Sequence, residues 1–239
     1  MDLIIFSLIM GFASFLQALT GFGIALIVVP ISLLILDKTI VVVALVIVSI
    51  VLNGFLIKQI KISPDKQLLY PLIISSAFGI PLGIWILSVV PINIMKIIVS
   101  ILSIIFSIIF YKTKIILPKT KILVIVIGWL SGILQTSIGM SGPPVVLLLS
   151  NFYKNKDDLR KNLVSFFFFM NIIALLFFLL SSTKIYKGIL YGIYVLPMVL
   201  IGAYIGNKIV KHVPQNIFRL LTFALVGLTG LYTLFTALK

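Results

Sequence analysis

Almost the whole of this 239-residue chain consists of eight apolar runs separated by short, lysine-bearing stretches. The runs fall at about 3–36, 39–57, 68–90, 92–111, 122–151, 162–181, 185–207 and 214–238. A helix needs ~20 apolar residues to cross a hydrocarbon core of ~30 Å, and six of the runs have about that length. Inside a bilayer the backbone must satisfy its own N–H and C=O groups, so such runs have to be helical. The expected fold class is therefore an all-α polytopic membrane protein. It is expected to be one transmembrane domain over 1–239, multi-pass in the cell membrane. Composition agrees: 62% of residues are hydrophobic and 10% charged, against about 25% charged in soluble domains.

Two runs, 3–36 and 122–151, are too long for one crossing. A straight helix of roughly 34 residues would measure about 51 Å. Each holds a polar, glycine-rich break near its middle: Gln17-Ala-Leu-Thr-Gly-Phe-Gly23 in the first, and Gln135-Thr-Ser-Ile-Gly-Met-Ser-Gly-Pro-Pro144 in the second. The expectation is two shorter helices in each, about 3–19 with 24–36 and 122–137 with 143–151.

The breaks also mark an internal repeat. At an offset of 118, Gln17 matches Gln135, Gly21 matches Gly139 and Asn53 matches Asn171. At an offset of 123, Gly79, Gly83, Ile86, Val90, Pro91, Asn93 and Ile94 match Gly202, Gly206, Ile209, Val213, Pro214, Asn216 and Ile217. The change of offset fits an insertion in the polar stretch Lys154 to Asn162. The halves divide at about 1–117 and 118–239.

Charge speaks to their orientation. If all eight runs cross, the 19 Lys and Arg residues divide ten to nine; if the two long runs are hairpins that turn back, they divide fourteen to five. The positive-inside rule prefers the second arrangement. Each half is then a broken or re-entrant hairpin plus three spanning helices, and the halves are inverted. Eight ordinary crossings remain the alternative, with the long helices tilted or kinked.

Polar breaks at matching places in two halves point to a transport site. A helix that starts at such a break presents free N–H groups and the positive end of its dipole, which suits an anion. Candidate binding residues are Gln17, Thr20, Gly21 and Gly23 at the first break, and Gln135, Ser137, Gly139, Ser141, Gly142 and Pro143 at the second. Two such tips meeting at a pseudo-two-fold axis would hold one anion near the midplane. Ser14 and Thr136 lie nearby, and like the glutamines they have the plainer alternative of bonding helix to helix. Gly79-x-x-x-Gly83 and Gly202-x-x-x-Gly206 are expected to pack helices closely, within a protomer or in a homodimer.

Several functions are disfavoured. No cysteine is present, which excludes disulfides and thiolate metal sites. No Asp, Glu or Arg is expected deep in an apolar run, where proton relays and cation paths keep theirs. Lys96 and Arg219 fall near run ends and can snorkel. The single histidine, His212, lies in a basic turn. No carboxylate cluster or metal-ligand spacing exists, so the chain is expected to be no enzyme and to hold no metal or cofactor. The formal charge of +14 is assigned to orientation and anionic lipid rather than to nucleic acid. The start, Met1 to Met10, lacks the basic region of a cleavable signal.

At the breaks the chain resembles the sulfite exporter TauE/SafE family, also described as sulfonate uptake permeases. The resemblance rests on Gly11-x-x-Ser14-x-x-Gln17-x-x-x-Gly21-x-Gly23 and on Ser131-Gly-x-x-Gln135-x-x-x-Gly139-x-Ser141-Gly-Pro-Pro144, together with length and the two-fold repeat. It implies a prokaryotic inner-membrane protein that moves sulfite, sulfonates or other small sulfur-containing anions, and rocking of one bundle against the other is the expected way to alternate access. An anion channel and a non-transporting membrane scaffold stay as alternatives from other classes.

Overall fold

The computed structural model describes residues 2–60, 63–112, 118, 120–153, 155–181, 185–209, 227–228 and 230–237. Met1, Lys61, Lys114, Lys119, Lys154, Lys184, Lys211, His212, Val213, Pro214, Asn216, Ile217, Arg219 and Lys239 lie outside the described residues, as does much of the eighth run.

All regular structure among the described residues is helical. The elements are α1 (Asp2–Thr20), α2 (Ile24–Ser32), α3 (Lys38–Gln59), α4 (Lys66–Val89), α5 (Ile92–Lys112), α6 (Lys121–Ile138), α7 (Gly142–Phe152), α8 (Lys156–Leu180), α9 (Tyr186–Tyr194) and α10 (Leu196–Ile209). Helical turns follow at 227–228 and 230–237. Five of these helices are long and apolar enough to cross a membrane, and the bent pair α9 and α10 makes a sixth if it is counted as one span. The chain is a multi-pass membrane protein.

The polar linkers start the helices. Asp37 accepts from the Thr39 N–H, Asp65 from Gln67 and Leu68, Thr120 from Leu123, and Asn155 from Asp157. Each side chain pairs an N–H that a first helical turn leaves orphaned, for about 1 kcal/mol. Lysines close the opposite ends. Lys161 Nζ donates to the carbonyls of Ile57 and Ile60 at 2.9 and 3.0 Å, and Lys38 Nζ donates to the Val90 carbonyl.

Two helices differ from the apolar runs that mark them. The helix of the sixth run begins before 162. α8 starts at Lys156, because Asn155 caps it and Asp157 and Asp158 place negative charge on the positive end of its dipole. The seventh run is not one straight span. It bends by 47° between α9 and α10, just before Pro197, whose ring and missing N–H break the helical ladder.

The long runs break as expected, with α1 and α2 parted at Gly21–Gly23 and α6 and α7 parted at Gly139–Ser141. Each turns back on itself. α2 begins beside Gln17, close to the end of α1, and its Val29 reaches Gly139 next to Val42 at the start of α3. α7 begins where Ser141 meets Gln135 and ends where Tyr153 Oη donates to Asp65 at the start of α4. Burial, and then that carboxylate, push the Tyr153 phenol above its usual range, so it stays protonated and donates.

The tightest packing is α4 against α6 and α1 against α10. A Cβ added at Gly79 would strike the Trp129 carbonyl, and one at Gly83 the Ile133 carbonyl. A Cβ at Gly202 would strike the Gly11 carbonyl, and one at Gly206 the Phe15 carbonyl. Shifted by 118 on one helix and 123 on the other, these are the same two contacts. Glycine is needed here because the backbones touch, which in a membrane substitutes dispersion for a missing hydrophobic drive between helices.

Ile74, Phe78 and Trp85 of α4 and Ile122, Val126 and Trp129 of α6 are exposed. In lipid, that is where apolar side chains belong.

Candidate functional site

Each hairpin is braced by one glutamine. Gln17 Nε2 donates to Asn53 Oδ1 at 2.9 Å, and its Oε1 accepts from the Ile24 N–H at 3.3 Å. Gln135 Nε2 donates to Asn171 Oδ1 at 2.8 Å, and its Oε1 accepts from Ser141 Oγ at 2.7 Å. Asn53 and Asn171 in turn each donate to the carbonyl four residues earlier, of Ser49 and Phe167. All four amides are buried. Each glutamine thus ties the end of one half-hairpin to the start of the other and to a spanning helix. A buried amide in a bilayer has no water to fall back on, so pairing both ends fixes the break in one geometry.

The backbone of the breaks follows from their glycines. Gly21, Gly23 and Gly139 have φ of 85°, 110° and 76°, a left-handed conformation that a Cβ disfavours. Gly139 closes α6 with its N–H on the Gln135 carbonyl and the Met140 N–H on the Leu134 carbonyl, the pairing that commonly ends a helix at glycine. Pro143 stands in the first turn of α7, where its missing N–H costs nothing.

The two tips rest on different helices. Gly21 lies against Arg160, the fifth residue of α8, and Gly139 lies against Leu45 and Val42 of α3 and Val29 of α2, so the second tip touches the first hairpin. The glutamine of each tip bonds well inside a long helix, Gln17 to Asn53 of α3 and Gln135 to Asn171 of α8.

Their surroundings differ as well. The second tip is closed: Gly139 is walled by Leu45, Val29 and Val42, and Ser137, Met140 and Ser141 are buried. The first is more open. Thr20, Phe22, Gly23 and Ala25 are half-buried, and the space where a Gly23 Cβ would stand is empty to 4 Å. Gly142 is half-buried, with the Phe167 ring nearby.

Other polar side chains near the tips join helices. Thr136 Oγ1 donates to the Ile80 carbonyl of α4 at 2.9 Å, and Ser14 Oγ to the Val199 carbonyl of α10 at 2.9 Å. Ser137 Oγ bonds back to Ile133 and Thr20 Oγ1 to Leu16 and Phe22 carbonyls. A cavity of about 370 Å³ lies away from both tips, at the start of α4 and α6, lined in part by Gln67, Pro71, Lys121 and Phe152.

The sequence reading missed one residue here. Arg160 was placed outside the apolar runs, yet it is 5% exposed, as is Lys161. The available signal was its type: one of only two arginines among nineteen cations.

A family model described as sulfite exporter TauE/SafE matches residues 6–233. The chain belongs to the sulfite exporter TauE/SafE family. The match spans both hairpins and all the helices between them, as the motifs around Gln17 and Gln135 implied. No curated protein and no solved structure matches the chain. No group of three or more His, Cys, Asp or Glu side chains suited to a metal occurs among the described residues.

Proposed function

We propose that this protein carries sulfite or a related small sulfur-containing anion, such as a sulfonate, across the prokaryotic plasma membrane. The carrying observation is the pair of glutamine-braced hairpins inside a chain of the sulfite exporter family. The family supplies the transport class, and the hairpins supply what an anion carrier needs: polar backbone held at membrane depth and two half-helices whose N-termini carry positive dipole ends.

Gln17, Thr20, Gly21 and Gly23 form the first binding element, and Gln135, Ser137, Gly139, Ser141, Gly142 and Pro143 the second. In this reading the glutamines hold the tips in shape rather than spend their full hydrogen-bonding capacity on the anion. The two halves act as inverted repeats, and rocking of one against the other exposes one tip and then the other. Support comes from the contacts of Gly79 and Gly83, which recur at Gly202 and Gly206. Basic side chains gather at the end that holds the first tip: Lys58, Lys66, Lys121, Arg160, Lys161 and Lys208. Lys38, Lys96 and Lys187 lie at the other. The first end is then cytoplasmic.

The test is uptake of labelled sulfite into proteoliposomes, with thiosulfate, taurine and acetate as competitors. Saturable uptake blocked by the sulfur oxyanions supports the reading. Absence of flux for every sulfur anion, from folded and inserted protein, contradicts it.

A further inference from the structure

Among the described residues, Arg160 is the one cation that the fold lays on a hairpin tip. Its stem packs on Gly21, where an added Cβ would stand 2.9 Å from Cγ and 3.2 Å from the Arg160 backbone. Its Nη2 donates to Asn207 Oδ1 of α10 at 2.9 Å. Its Nε–H has no hydrogen-bond partner although the residue is 5% exposed. Asp157, three residues earlier on the same helix, acts on it through space, without taking that Nε–H. A guanidinium so enclosed with a donor unspent is costly unless something accepts from it.

The other tip lacks this group. At the offset of 118, which Asn53 and Asn171 carry past the stretch Lys154 to Asn162, Arg160 corresponds to Val42, one of three apolar side chains beside Gly139 together with Leu45 and Val29. The equivalent positions therefore face the two tips with opposite chemistry. One tip has a cation, half-buried backbone and open space in front of Gly23, while the other is walled by Val29, Val42 and Leu45.

We propose that Arg160 is the residue that binds the substrate anion, and that the first tip, at the basic end of the bundle, is where the anion loads. The inference rests on the transport reading above and makes its two tips unequal. Nε and an Nη of one guanidinium are parallel donors, so they suit an anion that presents two oxygens on one face, as sulfite and sulfonates do. The N-terminus of α2, a nine-residue helix that starts at Ile24, adds positive dipole to the same place. A monatomic anion such as chloride satisfies only one of the parallel donors and is held less well.

The experiment is equilibrium binding of labelled sulfite to purified protein in detergent, for the wild type, R160Q and R160K. Size-exclusion profiles establish folding for each. R160Q is expected to lose at least about tenfold in affinity, the cost of one charge-assisted hydrogen bond. R160K keeps charge and stem but not the fork, so it guards against misfolding of R160Q. It is expected to bind sulfite several-fold more weakly and to discriminate less between sulfite and chloride. Folded R160Q or R160K with wild-type affinity and wild-type discrimination overturns the assignment while leaving transport by the wild type intact. A wild type with no saturable sulfite binding and no flux overturns the transport reading itself, and this assignment with it.

Discussion

At the scale of single residues, the glutamine of each hairpin does the work of several. Gln17 pairs Asn53 and the first N–H of α2 at once, and Gln135 pairs Asn171 and Ser141. Gln17→Ala strands two buried polar partners and is expected to cost about 1–3 kcal/mol. A double-mutant cycle with Asn53→Ala, read by unfolding in detergent, should return a coupling of about 0.5–3 kcal/mol. Additive effects of the two substitutions would remove the brace. The glutamines were legible in the sequence because the surrounding motif is duplicated. The partners were visible only as a matching pair, Asn53 with Asn171, since no local pattern says that a side chain 36 residues away is its acceptor. Of Arg160 only its type was legible. It sits among lysines in a polar stretch, and only packing of α8 against Gly21 and Asn207 encloses it.

At the scale of elements, two helix pairs set the spacing of the bundle. Gly79 and Gly83 bring α4 onto α6, and Gly202 and Gly206 bring α10 onto α1. Leucine at Gly79 drives a side chain into the Trp129 carbonyl, so the helices have to part. Gly79→Leu and Gly202→Leu are each expected to destabilise the protein by about 1–3 kcal/mol or more, the usual cost of overpacking. Thermal unfolding in detergent measures it, and an unchanged melting temperature would refute close packing at that position. Most element boundaries could be read from hydropathy, because lipid forces an apolar run to be a helix. Two could not. The start of α8 depends on the Asn155 cap and on Asp157 and Asp158, which make a polar stretch helical. The bend before α10 depends on Pro197, a residue that membrane helices also accept without bending so sharply.

At the scale of the molecule, the tips stand in unlike environments. The first is partly open and basic, and the second is closed and apolar. The absence of cysteine makes this testable with single introduced thiols. Ala25→Cys, at the half-buried first tip, is expected to react with a polar thiol reagent added from the basic side. Met140→Cys, at the buried second tip, is expected to resist it from that side and to react from the opposite side as rocking exposes it. Equal labelling of both from one side would mean that the tips share one wet cavity. The fold class was written in the sequence, whereas the surroundings of the tips were not. They depend on which residues of the other half each glycine meets.

The most direct test of the whole account is counterflow. Proteoliposomes loaded with unlabelled sulfite are diluted into a trace of labelled sulfite, and the label inside is followed over time. A carrier that alternates its access between two hairpin tips predicts transient accumulation of label above its equilibrium level. Passive equilibration with no overshoot, accompanied by anion currents, would contradict alternating access and assign the protein to the channels.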